Sequence, residues 1–258
     1  MIQEISGANH PIIKKIASLK EKKYRERYGE FLVEGAMSVL WALDSRYEVK
    51  AVIVSTDFVL PDLFAGKLDN QIVYRVPPHL FAKMADTKTP QGILCTCTLP
   101  STKVLPKNGL YIYCDRVRDP GNVGSIIRSA DAMGFNGVLL SPESVDPFNP
   151  KLVRSTMGSL FHVDIYTDVD YDALCALQKQ GFSFAVSALT DDSIPSTEWS
   201  AKENTIIAVG NEAGGVSAET LSLADVVVKI PMAGSAESLN VAAAAAILMY
   251  EAGMKNRK

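Results

Sequence analysis

Hydrophobic and polar positions along this chain keep switching between a helical period and short apolar runs of strand length. From Pro11 to about Arg27 the spacing predicts one amphipathic helix, with Ile12, Ile13, Ile16 and Leu19 on its apolar side. Glu30–Val33 reads as a short strand and Ala36–Leu43 as a helix, and Val49–Ser55 is a continuous β-branched run that suits a buried strand. A helix near Leu60–Gly66, a strand at Gln71–Val76, a short helix after Pro78 and a strand at Gly92–Leu99 complete a first α/β region. Beyond it, strands at Leu110–Cys114, Gly137–Leu140, His162–Tyr166, Phe182–Ser187, Thr205–Val209 and Ala224–Ile230 are predicted. Helices at Gly121–Met133, Pro150–Met157, Tyr171–Lys179 and Glu237–Ala252 alternate with them. Such alternation predicts a mostly parallel sheet with helices on its faces.

Between the two regions lies Leu99-Pro100-Ser101-Thr102-Lys103-Val104-Leu105-Pro106-Lys107-Asn108-Gly109, whose prolines, polar residues and glycine read as a linker. The expected layout is a small domain at 1–99, a linker at 100–108 and a larger domain at 109–258. An apolar fraction of 47% in 258 residues allows both to bury a core. No apolar run reaches membrane-spanning length, and the N-terminus lacks a secretory signal pattern, so a soluble cytoplasmic protein is expected. Cys95 and Cys97, two apart in a strand, face one side. With Cys114, Cys175 and three scattered histidines they form no zinc-type spacing, so no metal is expected.

Three loops carry the candidate chemistry. Each is a strand that breaks into a glycine-containing turn and restarts as a helix: Asp115–Arg128, Val209–Ser217 and Ile230–Val241. Such turns expose main-chain groups and let a ligand approach the backbone closely. A dinucleotide-binding enzyme fits poorly, because no G-x-G-x-x-G follows the first strand of either region.

In this order the three segments resemble the motifs of the SpoU (TrmH-type) RNA ribose methyltransferases of the SPOUT superfamily. Asn122 and Arg128 match the first motif, Gly210, Asn211 and Glu212 the second, and Ser238, Leu239 and Asn240 the third. Ala213 departs from the pattern, since many members carry glycine there. Glu30–Gly35, Val39 and Leu43 more weakly resemble the small L30e-like substrate-binding domain that precedes the catalytic domain in many of these enzymes.

The resemblance implies a trefoil knot in the C-terminal domain, S-adenosylmethionine as cofactor and a ribose 2′-hydroxyl as acceptor. Gly210, Asn211, Ile230, Met232, Gly234 and Leu239 are the expected cofactor residues. Arg128, Asn122, Glu212, Ser238 and Asn240 are the expected catalytic ones. A guanidinium has no acceptor and stays protonated, so Arg128 is expected to grip phosphate rather than act as a base. The bland alternatives are an Arg128–Asp131 helix pair and cap roles for Asn122, Ser238 and Asn240.

RNA is the expected partner, ribosomal before transfer RNA, and a homodimer through the catalytic domain is expected from the family. The alternatives are a transfer-RNA enzyme or a non-catalytic ribosome-assembly factor that retains the fold. Net charge is −3, but its distribution is uneven. Residues 1–100 hold 13 Lys and Arg against 11 Asp and Glu, and the remainder 13 against 18. Lys14, Lys15, Lys22, Lys23 and Arg25, with Arg154 further on, are the candidate phosphate contacts. Interleaved Glu21, Glu26 and Glu30 fit a solvated helix face equally well.

Overall fold

The β-branched runs become strands and the amphipathic segments pack on them in a computed structural model that describes residues 2–101, 104–211 and 213–255, with side chains as far as Gly253. The first region contains β1 (Ile2–Glu4), α1 (Pro11–Ser18), α2 (Lys22–Tyr28), β2 (Glu30–Glu34), α3 (Ala36–Leu43), β3 (Val49–Ser55), β4 (Val73–Val76), α4 (Pro78–Met84) and β5 (Ile93–Thr98). The second contains β6 (Leu110–Asp115), α5 (Pro120–Met133), β7 (Gly137–Leu140), α6 (Pro150–Ser155), β8 (Asp164–Tyr166), α7 (Tyr171–Lys179) and β9 (Ser183–Ser187). It continues with β10 (Ile194–Pro195), β11 (Thr205–Gly210), α8 (Ala218–Ser222), β12 (Val226–Lys229) and α9 (Val241–Lys255). No helix among the described residues is long and apolar enough to cross a membrane.

The chain packs as two compact units: residues 1–101 with 148–161, and residues 102–147 with 162–258. In the first unit the strand order is β1-β4-β3-β5-β2, a mixed sheet. Successive residues of β2 face opposite sides. Leu32 joins Ile13, Ile16, Leu80, Phe81 and Leu94 in a core under α1 and α4. On the other side Phe31 meets Tyr47 and Phe148 at ring-centroid distances of 5.7 and 4.9 Å, and Tyr47 meets Phe161 at 5.5 Å. The segment 148–161 therefore completes the aromatic layer of the first unit, although in sequence it falls between two strands of the second. Its Arg154 pairs with Asp86 at 2.8 Å and reaches Glu34 at 3.8 Å. Cys95 and Cys97 lie fully buried on one side of β5 with their sulfurs 3.9 Å apart, and burial pushes the Cys95 thiol up.

Two predicted helices differ. The expected helix from Pro11 to Arg27 breaks after Ser18. Arg25 is the cause: it is 2% exposed and donates from Nη1 to the carbonyls of Leu19 and Lys20, at 2.8 and 2.9 Å, so its guanidinium replaces helical hydrogen bonds at the turn. Near Leu60–Gly66 only the single 3₁₀ turn Asp62–Phe64 forms, with Phe64 its one buried residue. One apolar anchor holds little helix in place.

In the second unit every paired strand is parallel, in the order β10-β12-β9-β11-β6-β7-β8. Tyr111, Tyr113, Phe184, Val186, Ile206 and Ala208 face α7 residues Leu174 and Leu177 across one core. Helices α5 and α9 pack against each other. Their packing is parallel: Asn122 meets Asn240 near the starts, and Gly253 lies against the carbonyl of Met133 near the ends. Small residues such as Gly124, Ala130, Ala245 and Ala252, all buried, permit that approach.

Candidate active site

In an open parallel sheet, ligands bind beyond the carboxyl ends of the strands. Here the neighbouring strands β12, β9 and β11 end together, and their loops line one cavity of about 440 Å³. Ser187–Thr190 end and follow β9, Gly210, Asn211, Gly214, Gly215 and Val216 end and follow β11, and Lys229, Ile230 and Met232 end and follow β12. Glu237, Ser238, Leu239, Val241 and Ala244 close the remaining side from the start of α9. Its size suits a small-molecule site. Met232 and Leu239 are 39% and 36% exposed, so they present apolar surface to a ligand rather than to the core.

The loop after β11 is shaped by its own residues. Gly215 N–H donates to the Asn211 carbonyl at 3.0 Å, and Asn211 Oδ1 accepts from the N–H groups of Ala213 and Gly214 at 3.0 and 2.7 Å. Gly215 has φ +62, a region that suits glycine. A Cβ on Gly210 would fall 1.9 Å from the Gly215 carbonyl carbon, so only glycine fits beneath the returning chain. Asn211 therefore commits its side-chain oxygen to the loop while also lining the cavity.

Asp115, at the end of β6, staples this loop from below. Asp115 is 2% exposed. Its Oδ2 accepts from Ser217 N–H at 2.6 Å and its Oδ1 from Arg116 Nε at 3.0 Å. Arg116 itself sits at φ 57. Burial first, and the Asp115 charge next, push the Tyr113 phenol and the Cys114 thiol up. Asp115→Asn would set an amide N–H₂ against one of these donors, at a cost of about 1.5–3 kcal/mol for a charge-assisted bond. We expect weaker cofactor binding and a lower Tm, with kcat at saturating cofactor largely kept. Titration calorimetry beside steady-state kinetics checks this, and unchanged cofactor affinity would show that the staple does not set the cavity.

Asn240 bridges the first and third motifs. Its Oδ1 accepts from Ala242 and Ala243 N–H at 2.9 and 3.4 Å, which makes it the cap of α9. Its Nδ2 donates to Asn122 Oδ1 at 3.0 Å. The helix expected from Glu237 thus begins at Val241, with Asn240 as its cap. Asn122 in turn gives its backbone N–H to Asp119, the cap of α5, at 2.9 Å.

Gly210, Asn211, Ile230, Met232, Leu239 and Ser238 all line the cavity, whereas Gly234 does not. Arg128 is exposed on α5, six residues past Asn122 and so about 9 Å along the helix. Among the described residues it has no ion pair; Asp131 pairs with His162 at 3.0 Å instead. Glu212 lies outside the described residues.

The six candidate phosphate contacts divide. Lys14 is exposed, while Lys15, Lys22 and Lys23 pair with Glu30, Glu26 and Glu21. Arg25 is buried with its guanidinium on the Leu19 and Lys20 carbonyls; Arg154 is engaged by Asp86 and Glu34. Sequence reasoning missed the Ser187–Thr190 loop and Lys229, and gave no role to Asp115 and Glu237 within the motif loops. An acidic residue ending the strand before the first motif was the one signal in view.

A parallel α/β domain with a cavity at its strand ends, walled by glycine-rich main chain, defines a nucleotide-type cofactor domain, and its companion is a separate small α/β unit. The chain belongs to the SpoU rRNA Methylase family, which it matches over residues 109–250, and residues 10–95 match the MRM3-like substrate binding domain. It is 35% identical over 250 residues to the 23S rRNA (guanosine(2553)-2'-O)-methyltransferase RlmP of Bacillus subtilis, covering 96% of this chain and 98% of that one. An AdoMet-bound rRNA methyltransferase from Sinorhizobium meliloti superposes with a TM-score of 0.86 at 30% identity, covering 97% of both chains. The A. aeolicus TrmH/SpoU tRNA modifying enzyme gives a TM-score of 0.50 at 28% identity, covering 57% of this chain and 75% of that one.

Proposed function

We propose that this protein is an S-adenosylmethionine-dependent methyltransferase that modifies a ribose 2′-hydroxyl in ribosomal RNA. The observation that carries the reading is the cavity at the ends of β12, β9 and β11, tied by the Asn240–Asn122 bond to the helix bearing Arg128. The ribosomal assignment draws on the rRNA enzymes, which are similar across nearly the whole chain, whereas the tRNA enzyme above matches little more than half.

The cofactor supplies a methyl group already activated on sulfonium, so the chain's task is to hold groups and manage one proton. The tight turn at Gly210, with no room for a Cβ, fits close main-chain approach by the adenosyl part. Met232 and Leu239 offer the apolar wall. Arg128 holds the phosphate beside the target ribose and stabilises charge on the 2′-oxygen. The proton leaves to phosphate or water, because a guanidinium cannot take it. Ser238, on the cavity wall, and Asn240, beside it at the cap, orient the acceptor side.

Comparing 2′-O-methylation across ribosomal and transfer RNA of cells with and without the gene tests the function. A single ribosomal ribose losing its methyl is expected. No change in either RNA class overturns the proposal, and a change confined to transfer RNA overturns the ribosomal part.

We further propose a cytoplasmic homodimer through the catalytic unit. Ala243, Ile247 and Tyr250 recur at helical spacing on the exposed side of α9, with Ile247 and Tyr250 38% and 51% exposed. An apolar stripe of this kind favours a partner surface. Light scattering is expected to give twice the chain mass, and Ile247→Lys with Tyr250→Glu is expected to give the single mass. A wild-type protein that stays monomeric at working concentration refutes the dimer.

A further inference from the structure

We propose that Tyr24 and Tyr28 on α2 form a base-stacking platform that holds unpaired nucleotides of the RNA substrate. This rests on the RNA reading above and adds to it a recognition mode and two residues.

Helix α2 is Lys22–Tyr28, and its one buried residue is Arg25, which is engaged by the carbonyls of the preceding turn. The tyrosines therefore do not serve the core. Tyr28 is 39% exposed and Tyr24 half-buried. They stand four residues apart on one face, with ring centroids 6.4 Å apart and planes within 19° of parallel. Two near-parallel aromatic rings on a helix surface offer π-faces to bases of any sequence.

Cations surround both rings. Lys23 lies over Tyr24 at 4.7 Å, and Lys15 and Arg27 lie over Tyr28 at 5.5 and 5.7 Å. In the free protein these contacts satisfy the negative ring faces. When a base takes a ring face, the displaced ammonium or guanidinium is already within reach of the phosphate next to that base. The acidic neighbours do not cancel this field. Lys23–Glu21 and Lys22–Glu26 are exposed pairs, and such pairs hold their partners weakly. Lys15 stays with the buried Glu30 carboxylate at 2.6 Å, so the phosphate contacts fall to Lys23, Arg27 and Lys14. Lys14 and Arg27 have no carboxylate partner among the described residues. Bases inside an A-form duplex are stacked on one another and cannot reach such a platform, so the ligand is a single-stranded segment, loop or bulge.

The test uses the full-length protein and a labelled 12-nucleotide RNA of mixed sequence, free and annealed to its complement. Anisotropy titrations over a range of salt compare wild type with Tyr24→Leu/Tyr28→Leu, which keeps apolar bulk, and Tyr24→Phe/Tyr28→Phe, which keeps the rings. The leucine variant is expected to bind single-stranded RNA about tenfold or more weaker, with duplex binding and salt slope unchanged. The phenylalanine variant is expected to bind like wild type. Unchanged cofactor affinity in both shows that the second unit is intact. Wild-type affinity in the leucine variant overturns the platform, as does an equal loss in the phenylalanine variant or an equal loss on duplex. Methyl transfer to ribosomal RNA from gene-deleted cells is followed in parallel. If wild type transfers methyl and the leucine variant does so with unchanged KM for RNA, the platform alone fails. If wild type neither binds RNA nor transfers methyl, the reading beneath it fails.

Discussion

Arg128→Ala is expected to abolish nearly all methyl transfer while the protein keeps its cofactor. The loss expected is about 10²–10³-fold in kcat, the size seen when one preorganised donor to developing charge is removed. Arg128 is absent from the cavity wall, exposed, and without an ion pair among the described residues. Its removal therefore leaves no buried partner uncompensated and should move Tm little. Single-turnover kinetics with saturating cofactor, beside calorimetric binding of the cofactor, separate the two effects. Arg128→Lys should recover little, because an ammonium cannot bind a phosphate in a two-pronged way. Turnover within about threefold of wild type in the alanine variant would remove Arg128 from the reaction.

Gly210→Ala is expected to disrupt the proposed cofactor site from the opposite direction, by adding one methyl group. The new Cβ would lie 1.9 Å from the Gly215 carbonyl carbon and 2.1 Å from its oxygen and from the Val216 nitrogen. All three are main-chain atoms, so the loop must move. Overpacking of this kind costs about 1–3 kcal/mol, and the same displacement pulls on the Ser217 N–H held by Asp115. Cofactor affinity is expected to fall at least about tenfold, with a lower Tm. Gly234→Ala is the matched control: a Cβ there meets nothing within 4 Å, and Gly234 does not line the cavity. It should bind cofactor like wild type. Equal affinities in the two variants would show that the loop after β11 is not the cradle.

The two outcomes together separate holding the cofactor from using it. One variant is expected to lose chemistry with the cofactor bound, and the other to lose the cofactor.

Local pattern alone determined much of this molecule. The boundaries of Ala36–Leu43, Val49–Ser55, Gly137–Leu140 and Tyr171–Lys179 follow from runs in which propensity, period and burial agree. The three motif loops were legible because each joins a strand to a helix through a glycine-containing segment whose residues match the motifs of one family. Only the tertiary structure decided the rest, because it depends on partners far away in the chain. Asp115 reaches Ser217 across 102 residues, and Asn240 reaches Asn122 across 118. No period records such a bond. The Ser187–Thr190 loop has no glycine and looks like ordinary connection until β9 is found between β12 and β11. The basic run near the N-terminus fitted a phosphate-binding or a solvated helix face equally well, yet burial made Arg25 a structural brace and left Tyr24 and Tyr28 on the surface. Charge and periodicity are properties of neighbours in sequence; desolvation and hydrogen-bond geometry belong to neighbours in space, and those decide which side chains remain free to meet a ligand.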